Sequence, residues 1–204
     1  MTTRAVRKRL DFSRPVERSV ILECVDIAQQ APVGSNAQHW HFVVVTDAAK
    51  REEIAKLYQQ AFAGYRQTPI YASTLPTKDA AHARTQNLVA DSASYLSEHL
   101  AECPVLVIPC IERRVAGVEI PAAVSLGSIL PAAWSFMLAA RARGLGTCWT
   151  TLHLTFEQQV AEIVGIPFGD VSQAMLTPLA YTIGTDFKPA ARPDPTAITH
   201  FDTW

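Results

Sequence analysis

Apolar positions along the chain switch between a helical and a strand period. In residues 15–30, Ile21, Cys24, Val25 and Ala28 recur at helical spacing and Pro32 closes the segment, which predicts a first helix. The run Phe42, Val43, Val44 and Val45 reads as a buried strand that begins at Trp40. Asp47 is placed as the N-cap of a second helix, whose Ile54, Leu57, Tyr58 and Ala61 share a face. Over residues 64–78 the pattern lapses into a stretch rich in Pro and Thr with Tyr65 and Tyr71 in it, which predicts a lid or binding loop. A helix over 80–100 and a short buried strand over 105–110 follow.

Residues 120–140 carry no charge and are long enough to span a bilayer, but they contain Pro121, Ser125, Gly127, Ser128, Pro131 and Ser135 and stand alone in the chain. They read instead as a helix buried in a protein interior or a subunit interface, ended by Arg141, Arg143 and Gly144. Thr155 with Gln158 has the form of a capping box for a helix that closes at Gly165. Met175, Thr177, Leu179, Tyr181 and Ile183 alternate as a strand, and Pro178 near its start predicts an edge position or a bulge. This succession, with connections too uneven for a regular βαβ series, predicts a single three-layer α/β or α+β domain over residues 1–204.

Composition narrows the partners. With 204 residues and 49% hydrophobic content the chain can bury one substantial core, and a net charge of −1 gives no general attraction to nucleic acid or to an anionic membrane. Cys24, Cys103, Cys110 and Cys148 form no CxxC pair, so reduced thiols in a cytoplasmic protein are expected, with no signal peptide. Only the N-terminus is locally basic: in a helix, Arg4 would share a face with Arg7 or Lys8, and a bound anion would relieve their repulsion.

The chemistry concentrates in residues 31–45, APVGSNAQHWHFVVV. Gly34 removes a side chain where backbone must come close to something, and Ser35, Asn36 and Gln38 offer donors and acceptors suited to the edge of a planar heterocycle. The same stretch also reads as a plain helix-to-strand turn. His39 and His41 could ligate a metal, but no third ligand has fitting spacing, so none is expected. Cys148 near His153 suggests a thiol nucleophile, yet its apolar neighbours favour a buried, inert thiol. The Gly144, Leu145, Gly146 triplet is only a weak dinucleotide signal.

Four stretches in this order resemble the FMN-dependent nitroreductase family. TRAVR at residues 3–7 is similar to its Arg-Arg-Ser-x-Arg motif, APVGSNAQHW to its A-P-S-x-x-N-x-Q-P-W, and GLGTCW to its G-L-G-x-x-W. Lys188, Arg192, Pro193 and the terminal HFDTW resemble its K-P-x-R-P and H-W-x-x-W tail. The resemblance implies a nitroreductase-like α+β fold, with a mostly antiparallel central sheet flanked by helices and a long buried helix at a dimer interface. It implies a homodimer with FMN at the subunit interface, and ping-pong reduction of nitro, quinone or similar small electrophiles by NADH or NADPH. Arg4 and Arg192 would hold the FMN phosphate, and Arg7 would sit near flavin N1 and O2. Gly34, Ser35, Asn36 and Gln38 would approach the ring and its ribityl chain, while Trp149, Thr150, Thr151 and Leu152 would border N5 and O4. Ala5, Val6 and Lys188 complete the cofactor-binding set. Departures from the pattern are Thr3, Ala5, His39, the extra residue between Lys188 and Arg192, and Thr151 and Leu152, which could narrow access to N5. Relatives that dehalogenate, that consume their own flavin, or that only store or sense it remain alternative readings.

Overall fold

The computed structural model describes residues 3–115, 120–192 and 194–204. Among them run α1 (Arg18–Ala28), β1 (Trp40–Val45), α2 (Ala48–Tyr65), α3 (Ala80–His99), β2 (Val105–Ile111) and α4 (Ile120–Ala142). Then come β3 (Leu145–Thr147), α5 (Glu157–Val164), β4 (Ser172–Gln173) and β5 (Thr177–Tyr181). The ladders are antiparallel, in the order β1-β2-β5-β3, with β4 also pairing with β2. The fold is α+β, as the sequence predicts.

Three layers follow from the side-chain alternation of β2, whose seven residues are all buried. Leu106, Ile108 and Cys110 join Ile54 and Tyr58 of α2, Leu96 of α3 and Val160 of α5 in one core. Val105 and Val107 join Ile21 and Cys24 of α1 and Phe136 and Met137 of α4 in the other. A strand covered on both faces has no reason to alternate polar residues, which is why β2 reads as a continuous apolar run.

Local signals hold at most element ends. Asp47 Oδ1 accepts the Lys50 N–H at 2.9 Å, and Gly165 closes α5 in the left-handed conformation at φ 77°. The Thr155/Gln158 capping box does not form. Thr155 lies inside a 3₁₀ turn, Leu152–Phe156, so α5 begins one residue later with Phe156 at its N-cap. The edge position suggested by Pro178 is overturned as well, because β5 lies between β2 and β3. A bulge does occur, but just before β5 and not at Pro178, which pairs in register with Leu106. Register puts Gln173 opposite Cys110 but Thr177 opposite Val107, so residues 174–176 face only 108 and 109. Pro109, which has no N–H to give, falls in this gap and accepts the Ala174 N–H at 2.9 Å. On the other side the β3 ladder stops at Thr147, and the Cys148 N–H donates to Thr177 Oγ1 at 3.1 Å.

The N-terminal cations are not on a helix. Their segment lies along β3 at Ala5 and Val6 and then turns: Ala5 bridges Thr147 in parallel, the Val6 N–H donates to Thr147 O at 2.8 Å, a turn at Lys8 and Arg9 is closed by the Leu10 N–H on Arg7 O at 3.2 Å, and Leu10 bridges Thr182 just after β5. Val6 and Leu10 are buried, and they reach the sheet because Gly146 has no side chain. A Cβ there would meet Val6 Cγ1, Leu10 Cδ2 and Thr182 Cγ2, each at 2.9 Å. Gly146 therefore belongs to this docking contact and not to a dinucleotide loop.

Helix α4 satisfies the length and composition of a membrane span, yet half of its apolar window is buried inside the domain. Its outer side leaves Val124 56%, Trp134 44% and Leu138 44% exposed. The tail carries Ile198, Phe201 and Trp204 still more exposed.

Gly146→Ala should overpack the Val6–Leu10 contact and lower stability by about 1–3 kcal/mol. Denaturant unfolding measures it, and an unchanged midpoint would show that the segment is not held there.

Candidate functional site

Two cations of the docked segment remain uncompensated by carboxylates. Lys8 pairs with Asp91 at 2.5 Å and Arg9 with Asp186 at 2.6 Å. Arg7 Nη1 instead donates to Ser92 Oγ at 3.1 Å, and Arg4 Nη1 to the Lys188 carbonyl at 3.3 Å. Both line a cavity of about 460 Å³ between the segment and α3, with Ala5, Val6, Ser92 and Phe187 on its walls. The start of the tail is fixed beside it, since Phe187 lies under the Arg9 and Arg141 guanidinium groups at 4.1 and 4.3 Å. A guanidinium with only neutral acceptors retains its charge for an outside anion.

Arg7 also borders a second cavity, of about 320 Å³, whose floor is Cys148, Trp149, Thr150, Thr151 and Leu152. Its opposite wall is aromatic: Phe62, Tyr65 and Tyr71 pack at ring separations of 5.3–6.1 Å. The region expected to form a lid is therefore partly folded into the site. Tyr65 ends α2, Tyr71 is buried, and Thr68 Oγ1 closes the intervening turn on Tyr65 O at 2.7 Å.

Backbone pairing fixes the floor. The bulge frees Leu176 to pair with Thr150, N–H to O at 3.0 Å and 2.8 Å in the two directions. Thr150 Oγ1 then lies 3.0 Å from the Tyr58 hydroxyl. Burial pushes the Tyr58 phenol up to about 12, against the smaller opposing pull of this hydrogen bond. Tyr58 stays protonated, as a fixed hydrogen-bonding group. Periodicity alone placed it in the core; the missing clue was its hydroxyl, which needs a partner when buried. Ser92, Phe62 and Val89 carried no chemical signal and enter only through the packing of α2 and α3.

Gly34, Ser35, Asn36 and Gln38 stand apart from this pair of cavities. They form an exposed 3₁₀ turn and its exit, and Gly34 borders a small cavity with His39, Glu112 and Ser128. Gly34 meets nothing within 4 Å of where its Cβ would be. The unusual backbone belongs to Ser35, Asn36 and Gln38, with φ of 57°, 52° and 49°. Gln38 Nε2 donates to Asn36 Oδ1 at 3.0 Å and holds the turn. Arg192 is exposed in the tail and donates to the adjacent Ala191 carbonyl at 3.0 Å; Pro193 lies outside the described residues.

The remaining candidates settle as follows. Glu112 meets His39 Nδ1 at 3.2 Å and His41 Nε2 at 2.8 Å, and the hydrogen bond from His41 lowers its carboxyl below the ordinary range. Among the described residues no three His, Cys, Asp or Glu side chains form a group that could hold a metal ion. All four cysteines are free and buried. Burial raises the Cys148 thiol although Arg7 lies beside it and pulls the other way, so the thiol is protonated and inert. His153 is fully buried in the 3₁₀ turn, and neither ring nitrogen has a partner among the described residues.

The model of the nitroreductase family matches residues 1–184. A Bacillus subtilis (strain 168) protein named as a candidate NAD(P)H nitroreductase, YodC, is 24% identical over 207 residues, covering 100% of this chain and 96% of its own. Iodotyrosine deiodinase, solved in its oxidized form with FMN and 3-iodo-L-tyrosine, superimposes with a TM-score of 0.72 at 19% identity, over 99% of this chain and 96% of that one. A nitroreductase with bound FMN from Desulfitobacterium hafniense DCB-2 gives 0.68 at 18% identity, over 98% and 95%. At these identities the solved structures establish the shared fold.

Burial lowers the His153 pKa from 6.5 to about 3, so the imidazole is neutral in the folded protein. Because the unfolded chain takes up this proton first, His153 favours unfolding progressively as pH falls below about 6.5, until it protonates in the fold near 3. Stability should fall by about 1.4 kcal/mol per pH unit within that window from this group alone. Denaturant unfolding of wild type and His153→Leu between pH 7 and 4 should show the variant lacking that part of the slope.

Proposed function

The chain belongs to the nitroreductase family, and we propose that it is an FMN-dependent oxidoreductase that passes electrons from NADH or NADPH to a small electrophile such as a nitroaromatic or a quinone. One observation carries this reading. Arg4 and Arg7, the two cations of the docked segment met only by neutral acceptors, open onto adjoining cavities that share Arg7, one basic and one aromatic-walled with the Trp149–Leu152 floor. A phosphate-bearing planar ring system has that shape and that charge. Bound there, FMN would supply two-electron transfer between the nicotinamide and the acceptor, which react in turn as a ping-pong pair.

The chain's own residues bind and orient. In this reading Arg4 and Arg192 take the phosphate with their guanidinium forks. Arg7, held by Ser92, places its positive charge at the flavin N1 and O2 edge. Thr150, pinned by Leu176 and Tyr58, sets the height of the floor. The exposed Gly34–Asn36 turn with Gln38 serves the site of a second copy, in a cytoplasmic homodimer built on the exposed face of α4. The tail from Lys188 wraps onto that copy and brings Arg192 to its phosphate.

A second reading keeps the flavin and changes the acceptor to a halogenated phenol. Its support is the likeness to a deiodinase structure. NADH and NADPH oxidation with a nitroaromatic, a quinone or an iodophenol as the added acceptor separates the two.

Purified protein should be yellow and release FMN on denaturation. Colourless protein that takes up no added FMN overturns the proposal. Deleting the residues after Pro189 should weaken both dimer and FMN binding, and a monomeric intact protein that still holds FMN would refute the shared site. Arg192→Ala should reduce FMN affinity by on the order of tenfold to a hundredfold, with a near-normal potential in the flavin that stays bound. Arg7→Ala should instead lower the reduction potential, because its contact strengthens as the flavin edge becomes negative. FMN titrations and redox titrations of both variants measure this, and an unchanged potential in Arg7→Ala would make Arg7 a mere anchor.

A further inference from the structure

The tail starts from a clasp of two cations on one ring. The Arg9 and Arg141 guanidinium groups both lie over the Phe187 ring, 4.1 and 4.3 Å from its centroid. Each is drawn to the negative face of the ring, and two like charges gathered there repel unless one is compensated. Asp186 compensates Arg9, accepting from its Nη2 at 2.6 Å. The same two side chains hold the backbone that leads to the ring. Arg9 Nε donates to the Ile183 carbonyl at 2.8 Å, and Arg141 Nη2 to the Thr185 carbonyl at 3.5 Å. Gly184 lies between these carbonyls at φ 73°, where a Cβ would meet Arg9 Nη2 at 2.6 Å. Phe187 itself is half-buried against the core that contains Val6 and Leu10.

The residue after the ring meets the basic cavity. Arg4 Nη1 donates to the Lys188 carbonyl at 3.3 Å, and Arg4 and Phe187 line that cavity together. Arg4 is exposed, so without this acceptor its long side chain would sample many rotamers. Lys188 follows Phe187 directly, across a planar peptide, so a ring that cannot shift leaves this carbonyl little freedom. A neutral acceptor orients a guanidinium and leaves its charge available. We propose that Phe187 is a positioning residue: by fixing the Lys188 carbonyl it holds Arg4 oriented at the basic cavity, and so makes the site select a phosphorylated flavin over the same ring system without phosphate. The inference rests on the flavin reading above, since it needs the phosphate at Arg4. A side chain already ordered loses less freedom when the phosphate arrives, whereas binding of the ring system is indifferent to it.

The test is titration of the full chain, freed of flavin, with FMN and with riboflavin, which lacks only the phosphate, followed by flavin fluorescence. The wild type should prefer FMN. Phe187→Leu keeps apolar bulk but no ring face, and should lower FMN affinity about three- to tenfold while riboflavin affinity stays within about twofold. Phe187→Tyr, which keeps the ring, should restore the wild-type preference. In an Arg4→Ala background Phe187→Leu should have no further effect, because it acts through Arg4. Arg141→Gln removes one cation of the clasp from outside the docked segment and should lower FMN affinity in the same direction by a smaller factor. A wild type that binds neither flavin, or both equally, overturns the phosphate site and this inference together. With FMN preferred by the wild type, three results overturn the role of Phe187 alone: unchanged FMN affinity in Phe187→Leu, equal loss of both flavins, or the same loss in the Arg4→Ala background. If circular dichroism shows Phe187→Leu misfolded, unchanged FMN affinity in Arg141→Gln overturns it.

Discussion

The site depends on the close approach of the N-terminal segment to β3 at Gly146. What holds the cations there is not charge. The Lys8–Asp91 and Arg9–Asp186 pairs are largely exposed and contribute little. Val6 and Leu10 are buried within a few per cent of completely, and burial of side chains of that size contributes about 1.5–3 kcal/mol each. A turn held between the anchors Val6 and Leu10 can direct Arg7 toward Ser92 and leave Arg4 at the mouth. Neighbouring carboxylates silence the other two cations, so that the unneutralised charge is confined to one place.

The fold was legible because its two periods are clean. β2 covered on both faces, α4 uncharged until Arg141 in its last turn, Asp47 as a cap and Gly165 as a stop each follow from local chemistry, and each stands where local chemistry puts it. The failures share a different cause. Thr155 has the right residue three positions on, but the preceding floor of the site continues as a 3₁₀ turn and delays the helix. Pro178 sits inside the sheet because a bulge three residues earlier and a side-chain acceptor on Thr177 remove the need for ladder bonds near it. Arg4, Arg7 and Lys8 suit a helix by spacing, and only the long-range contact at Gly146 draws them into a bridge and a turn instead. The motifs located the floor and the cations. They were silent on Tyr58 and Ser92, whose roles arise from partners far away in sequence.

Several features have no account within a single copy. Ser35, Asn36 and Gln38 hold left-handed backbone in an exposed loop, at a cost of order 1–3 kcal/mol each. No contact within the chain explains Gly34. Val124, Trp134 and Leu138 leave α4 apolar on the outside, and the tail ends in an exposed Phe201 and Trp204. A homodimer sharing its cofactor sites, as proposed above, explains all of these together, since one copy's loop and tail then meet the other's cations. Without a partner, each would need its own explanation.

The bulge at residues 174–176 connects the rest. One extra residue detaches this stretch from β2, and three consequences follow from that shift. Pro109 is tolerated in a central strand because no partner asks for its N–H. Leu176 is released to clamp Thr150, which sets the floor on which Tyr58, kept protonated by burial, closes its hydrogen bond. Gln173, at the last paired position before the bulge, ties the sheet to the start of α5 through its Nε2 on the Glu157 carbonyl at 2.7 Å. A straight ladder would satisfy more backbone groups locally, but it would take Leu176 from Thr150 and leave Trp149 to Leu152 without support. The irregularity is therefore what builds the floor just beyond the end of β3, with the aromatic-walled cavity on one side and a mainly apolar one on the other.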